Sequence, residues 1–182
     1  MLGEPGKQGL KEFFLGTTAE RVVRHSDRPV LIVKRRASGA YRRVLVAIDF
    51  SEGASRALEA AYEAAPAAEF LIVHAWQVPA VGLATGQTAE KAIERENELF
   101  RRRIERQVRD HLVALAAPPR TPRIEMREGN PFFIIQEAIA SFQPDLLAMG
   151  THARSGIAVA MVGSLAREYL VEASCDVLVA RA

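Results

Sequence analysis

The 182-residue sequence predicts an α/β fold, a parallel sheet with helices on both of its faces. Three observations predict it. Short apolar runs of strand type alternate along the chain with stretches whose apolar residues recur at helical spacing, the pattern of parallel strands joined by helical crossovers. The runs are short and rich in β-branched residues, as in Val44–Ile48, which suits buried strands. Helix-start signals stand where strand gives way to helix, Ser51 at one junction and Asn130-Pro131 at another, an N-cap hydroxyl and a cap followed by a first-turn proline.

Taken in order, Val44–Ile48 is the first strand of the main unit, and Ser51–Ala64, with Ala, Glu and Leu at helical spacing, is the helix after it. Phe70–Ala75 is the second strand and Pro79–Thr88 a loop. Ala89–Leu115 is a long helix, its stripe made by Ile93, Phe100, Ile104, Val108, Leu112 and Leu115. Glu98 to Arg102 and Glu105 to Arg109 are i,i+4 pairs on its wet side. Pro122–Arg127 is a third, more exposed strand, followed by a helix to about Phe142. Asp145–Met149 is the fourth strand, Gly163–Glu172 lies in a helix, and Asp176–Ala180 is the fifth strand. Ahead of all this, Leu10–Arg24 reads as helix and Pro29–Lys34 as strand.

Composition narrows the function classes. Hydrophobic residues make up 49% and charged residues 25%, an ordinary globular balance. With 24 basic and 22 acidic side chains the net charge is +2, too even for a protein dedicated to nucleic acid or a membrane surface. Cys175 is the only cysteine, which excludes an intrachain disulfide and a cysteine-only metal site. The longest apolar runs are far too short to cross a bilayer, and MLGEPGKQGLKEF carries Gly and Pro where a signal peptide needs an unbroken apolar core. A cytoplasmic location is expected, with no nucleic-acid or membrane partner.

The chain also repeats itself. Gly3 aligns with Gly150, Gly16 with Gly163, Thr17 with Ser164 and Val30 with Val177, all at an offset of 147 without gaps. Residues 43–149 have no earlier counterpart. The expected organisation is therefore residues 1–36 as the C-terminal portion, helix plus last strand, of a first unit that lacks its first four strands. Residues 37–42 form a polar linker and residues 43–182 one complete unit.

Two features fall at strand ends, where open parallel sheets bind ligands. Asp49 follows VLVAI and Gly150 follows LLAM. A glycine there lets a backbone approach a ligand, and free N–H groups at a following helix start attract an anion. Gly163-Ser164 adds a second such approach and a hydroxyl. Asp49 suits a ribose or base, and equally a helix cap. His25, His74, His111 and Cys175 read as packing or surface residues, and no histidine–carboxylate cluster has metal-ligand spacing. The Arg101–Arg103 run, with Arg106 and Arg109, reads as a solvated helix face.

Gly3-x2-Gly6-x9-Gly16-Thr17 matches in full the G-x2-G-x9-G-[S/T] phosphate-loop motif of the universal stress protein family, and Gly150-x2-Ala153-x9-Gly163-Ser164 matches it with one departure at Ala153. AIDFS around Asp49, IVHAW at 72–76, GNP at 129–131, DLLAMGTHARSG at 145–156 and the closing VGSLAREYLVEASCDVLVARA are also similar to that family. The resemblance implies an open five-stranded parallel sheet of order 3-2-1-4-5, extended here by the N-terminal helix–strand fragment. It implies ATP, or AMP or ADP, with or without Mg2+, as ligand. Asp49 would lie near adenine and ribose, and Ala75 would offer backbone to the base. Met149 and Gly150 would line the pocket with Thr151 and His152 beside it, Ala153 would stand at the second glycine position of the phosphate loop, and Gly163, Ser164 and Leu165 would contact the phosphates.

In tandem and dimeric members the fifth strands pair across an interface. Strand 29–34 is therefore expected beside strand 176–180, antiparallel, as a pseudo-dimer, with a homodimer as the other arrangement. The functional expectation is a nucleotide-binding regulatory protein of the stress response. The alternative is a nucleotide-free dimerisation module. No Ser–His–Asp set, carboxylate pair or lysine nucleophile is spaced for catalysis, so no activity beyond slow ATP hydrolysis is expected.

Overall fold

A computed structural model of the chain describes residues 2–3, 17–76, 94–95, 98–99, 101–103, 106, 110, 121–151 and 162–182. Its elements are β1 (Leu2–Gly3), α1 (Thr17–His25), β2 (Val30–Val33), β3 (Arg43–Ala47), α2 (Glu52–Ala64), β4 (Glu69–Trp76), β5 (Arg123–Glu128), α3 (Pro131–Phe142), β6 (Leu146–Gly150), α4 (Ser164–Glu172) and β7 (Asp176–Ala180). The expected loop 79–88, residues 10–16 of the first helix, His111, and most of the long helix 89–115 lie outside the described residues. Residues 94–95, 98–99, 101–103, 106 and 110, within that last span, are helical.

The seven strands form one sheet in the order β1-β2-β7-β6-β3-β4-β5. The five strands of residues 43–182 are mutually parallel and stand, from the β5 edge inward, in the order third, second, first, fourth, fifth. The sheet is thus wider than the five strands of the family resemblance. β2 adds to β7 in antiparallel sense, Val30 opposite Val179 and Ile32 opposite Val177, and β1 adds to β2. Leu2–Gly3 pair with Ile32–Val33 in the register that Met149–Gly150 have with Val179–Ala180.

Both faces are buried. Val44, Val46 and Ile48 pack with Ala54, Ala57, Leu58 and Ala61 of α2. Leu45 and Val73 point the other way, into a core with Ile134, Ile135 and Ala138 of α3 and Ala166, Tyr169 and Leu170 of α4. That alternation is the period of two imposed by the strand pleat, and it explains why Val-Leu-Val runs are apolar throughout. β5 pairs with β4, and its residues are half-exposed, as the sequence predicts.

The repeat survives in three dimensions. An offset of 147 carries Thr17–His25 onto Ser164–Glu172, both helices to the residue. It also carries the register Leu2–Ile32 and Gly3–Val33 onto Met149–Val179 and Gly150–Ala180. The β2–β7 pairing is its own image under the same operation, since Val30–Val179 maps onto Ile32–Val177.

Candidate functional site

β3 is where strand order reverses, with β4 on one side and β6 on the other. The crevice past the carboxyl ends of such strands is the standard ligand position in an open α/β sheet. Asp49 lies at the end of β3. One carboxylate oxygen, Oδ1, accepts from the Ser51 N–H at 2.9 Å and from the Ser51 hydroxyl at 2.6 Å. Ser51 Oγ in turn accepts from Ala54 N–H at 3.1 Å and caps α2. Asp49 therefore does what a strand-end aspartate does most simply, supporting the cap. Its second oxygen has no partner among the described residues.

The turn between Asp49 and Ser51 is made by Phe50 at φ 64°. A left-handed bulky residue costs about 1–2 kcal/mol, and nothing in the sequence announces it. The Phe50 ring stands edge-on to His74, centroids 4.9 Å apart, and the Arg103 guanidinium lies 5.7 Å from its centroid. His74 is buried, its Nδ1 2.7 Å from the Ile48 carbonyl oxygen. That contact requires the proton on Nδ1, and His74 is the packed strand residue expected.

Gly150 is the last residue of β6 rather than the residue after it. A Cβ there would lie 2.8 Å from Ala54 N and 3.2 Å from Ser51 Oγ. Its missing side chain lets the first turn of α2 sit on the end of β6. Gly53, which the sequence reading passed over, does the same from the helix side, its Cβ position 3.0 Å from the Ala180 carbonyl. The backbone of Thr151 then ties three elements together. Its N–H donates to Ala180 O at 2.9 Å, and its carbonyl accepts from Gly163 N–H at 2.7 Å. The start of α4 is thereby held at the end of β6.

Gly163 is the N-cap of α4 and supplies no side-chain cap. The N–H groups of the first turn, which includes Ser164 and Leu165, keep the partial positive charge of an open helix start. Ser164 is exposed and Leu165 half-buried. Ala75 continues β4 beyond Val73, where its register with β3 ends. Met149 is nearly fully buried with its side chain in the α3/α4 core, so only its backbone can face a ligand. The structure thus gathers Asp49, Gly150 and Gly163–Leu165 at one end of the sheet, with Ala75 at the same end of β4. His152 and Ala153 lie outside the described residues.

The displaced ionisations lie elsewhere. Burial pushes the Cys175 thiol up to about 11, leaving it protonated and unreactive at neutral pH. Burial also raises the hydroxyls of Tyr41 and Tyr169. Glu125 is raised by burial but pulled further down by its hydrogen bonds to Arg123 and Arg127 and by their charge.

The model of the universal stress protein family matches residues 1–34 and 40–181. A universal stress protein of Thermus aquaticus, encoded in the QAH/OAS sulfhydrylase 3′ region, is 32% identical over 146 residues, 78% of this chain and 99% of the relative. The chain belongs to the universal stress protein family. Solved structures agree on the fold. A universal stress protein from Archaeoglobus fulgidus aligns with a TM-score of 0.61 at 23% identity, over 97% of this chain and 60% of its own. A universal stress protein in complex with cAMP aligns with a TM-score of 0.53 at 23% identity, over 76% of this chain and 96% of its own.

Proposed function

We propose that this universal stress protein binds an adenine nucleotide in a regulatory role, in the crevice between Asp49 and the Gly163–Leu165 helix start. The observation that carries the reading is the Thr151–Gly163 hydrogen bond at 2.7 Å. It sets the uncapped start of α4 beside the strand end whose neighbour bears Asp49. Helix N–H donors suit phosphate and a free carboxylate oxygen suits ribose hydroxyls, so the two ends of a nucleotide have matching partners. The relative in complex with cAMP supports the same ligand class. His152 and Ala153 join the site on the family resemblance alone. Mg2+, where it takes part, would enter with the nucleotide on its phosphates.

Titration calorimetry with ATP, ADP, AMP and cAMP, with and without Mg2+, tests this directly. Saturable heat that weakens at least tenfold in Asp49→Ala is the expected result. No heat from any of the four at millimolar concentration overturns it and favours the nucleotide-free dimerisation module.

We further propose that residues 1–36 are the C-terminal portion of a first unit, joined by linker 37–42 to the complete unit 43–182, and that β2 on β7 is an intrachain pseudo-dimer contact. The family model's two separate stretches and the shared offset of 147 support this. A cytoplasmic location is part of this proposal. No helix among the described residues is long and apolar enough to cross a membrane.

A further inference from the structure

Positive charge gathers in one stretch of the chain. Residues 28–48 hold six arginines and lysines and no acidic residue, although the whole chain is only +2. Five of the six, Lys34, Arg35, Arg36, Arg42 and Arg43, bracket the connection from β2 to β3. Both ends of that connection are pinned. Asp176 accepts from Lys34 N–H, Arg35 N–H and the Tyr41 hydroxyl, and Asp145 accepts from the N–H groups of Arg42 and Arg43. Between the pins, residues 36–40 form an exposed arc outside any helix or strand. Among the described residues this arc makes no hydrogen bond, and a Cβ at Gly39 would meet nothing within 4 Å. The Ser38 hydroxyl stands at its middle, with Arg36 two positions and Arg35 three positions before it. No other serine or threonine of the chain has arginine at both of those positions. Other serines are already engaged: Ser51 caps α2, and the hydroxyls of Ser26 and Ser141 donate to backbone carbonyls.

We propose that Ser38 is a phosphorylation site for an arginine-directed serine/threonine kinase. Kinases choose substrates largely by charge pattern, and two guanidiniums ahead of an exposed hydroxyl suit a cleft whose specificity subsites are carboxylates. Engaging residues 36–40 costs no hydrogen bond of the described fold. In the transfer, the Ser38 oxygen bonds to the γ-phosphorus of ATP, the bond from that phosphorus to the ADP oxygen breaks, and the hydroxyl proton passes to the kinase's catalytic aspartate. The product gains about two negative charges, which brings the chain's +2 close to zero. The phosphate would stand in a segment with four exposed arginines, Arg35, Arg36, Arg42 and Arg43, the side chains that pair best with it. The site lies at the amino end of β3 and Asp49 beyond its carboxyl end, so the proposal does not rest on the nucleotide reading.

The test has two arms, both on the full chain. In the first, the folded protein is incubated with ATP and the catalytic subunit of cyclic-AMP-dependent protein kinase, an arginine-directed probe. One phosphate, about 80 Da, is expected at Ser38 by peptide mass mapping, and none at that peptide in Ser38→Ala. Arg35→Ala/Arg36→Ala keeps the backbone donor to Asp176 and is expected to lower the kinase's kcat/KM about tenfold or more with an unchanged circular dichroism spectrum. If that pair disturbs the fold, Arg36→Ala, which removes no hydrogen bond, decides. Phosphate placed elsewhere, or a kcat/KM indifferent to the arginines, overturns the proposal. In the second arm the chain is isolated from the cells that make it, both growing and starved of nutrients. The same phosphate at Ser38 is expected in at least one state, with an acidic shift on isoelectric focusing that Ser38→Ala abolishes. Its absence from both states overturns the proposal.

Discussion

Leu31 lies opposite Leu178 in the antiparallel β2–β7 pair, and the two are separated by 147 residues, the offset of the internal repeat. They mark the point where a local two-fold relation passes through one chain. Next to them, the chain that leaves β2 is fastened to β7 by one carboxylate, that of Asp176. Asp176 is buried and accepts from Lys34 N–H at 2.8 Å, Arg35 N–H at 3.1 Å and the Tyr41 hydroxyl at 2.8 Å.

Asp176→Ala leaves three donors without their acceptor. Hydrogen bonds to a charged group contribute about 1.5–3 kcal/mol each, with strong non-additivity. The expected loss is about 3 kcal/mol in urea unfolding. Hydrogen exchange at Val30–Val33 should accelerate more than at Val44–Val46, because the three donors follow β2 directly. Equal acceleration at both strands would show that Asp176 serves the whole sheet.

Gly150→Ala sets a methyl 2.8 Å from the backbone nitrogen of Ala54. Backbone atoms cannot swing aside as a side-chain end does, so α2 must shift. Overpacking of this kind costs about 1–3 kcal/mol. The Asp49–Ser51 cap moves with the helix, so nucleotide affinity is expected to fall along with stability. A Gly150→Ala protein of unchanged melting temperature would contradict the contact.

Tyr62 is stacked on Phe70 with centroids 4.0 Å apart, and its hydroxyl is buried without a hydrogen-bond partner among the described residues. Burial pushes it up to about 12 from an ordinary 10.0. The folded state therefore prefers the neutral phenol. The associated stability is complete below pH 10 and is lost as pH rises toward 12. Cys175, displaced from 9.0 to about 11, acts in the same direction from pH 9 upward. Tyr62→Phe keeps the stacked ring and removes an unsatisfied polar atom worth about 1–3 kcal/mol of desolvation. It is expected to unfold at equal or higher urea at pH 7 and to lose part of the fall in stability between pH 10 and 12. A Tyr62→Phe protein less stable than the parent at pH 7 would reveal a partner for that hydroxyl.

Glu125 sits on the β5 edge between Arg123 and Arg127, hydrogen-bonded to both. Its carboxyl is held below the ordinary 4.5. Stability from this cluster is thus present above pH 4.5 and fades as pH falls through the lowered value. Glu125→Gln should flatten the acid limb of the stability profile while leaving neutral stability within about 1 kcal/mol, since the cluster is partly solvated. An unchanged acid limb would remove Glu125 from the acid response.

Much of this molecule was legible in the chain. α3 starts at Pro131 and ends at Phe142, as Asn130-Pro131 and the apolar spacing predict, with the Asn130 side chain accepting from Phe132 N–H at 2.9 Å. Ser51 caps α2 as read. These succeed because caps and strand runs act over three or four residues. The site was legible only as a set of types and spacings. Phe50 in a left-handed turn and Gly53 against Ala180 have no such local signature, since each is decided by what packs against it from a distant part of the chain.

The parallel strand–helix alternation, the repeat and the family were written in the chain, because periodicity, capping and motif spacing are properties of neighbouring residues. How each copy of the repeat is packed is settled by the fold. Val22 and Tyr169 occupy the same place in the two copies. Yet Val22 is 36% exposed and Tyr169 only 2%, its hydroxyl donating to the Phe132 carbonyl of α3 at 2.6 Å. The identical helix position is core in one copy and surface in the other. Burial depends on the elements that arrive from elsewhere in the chain, and α3 arrives at α4.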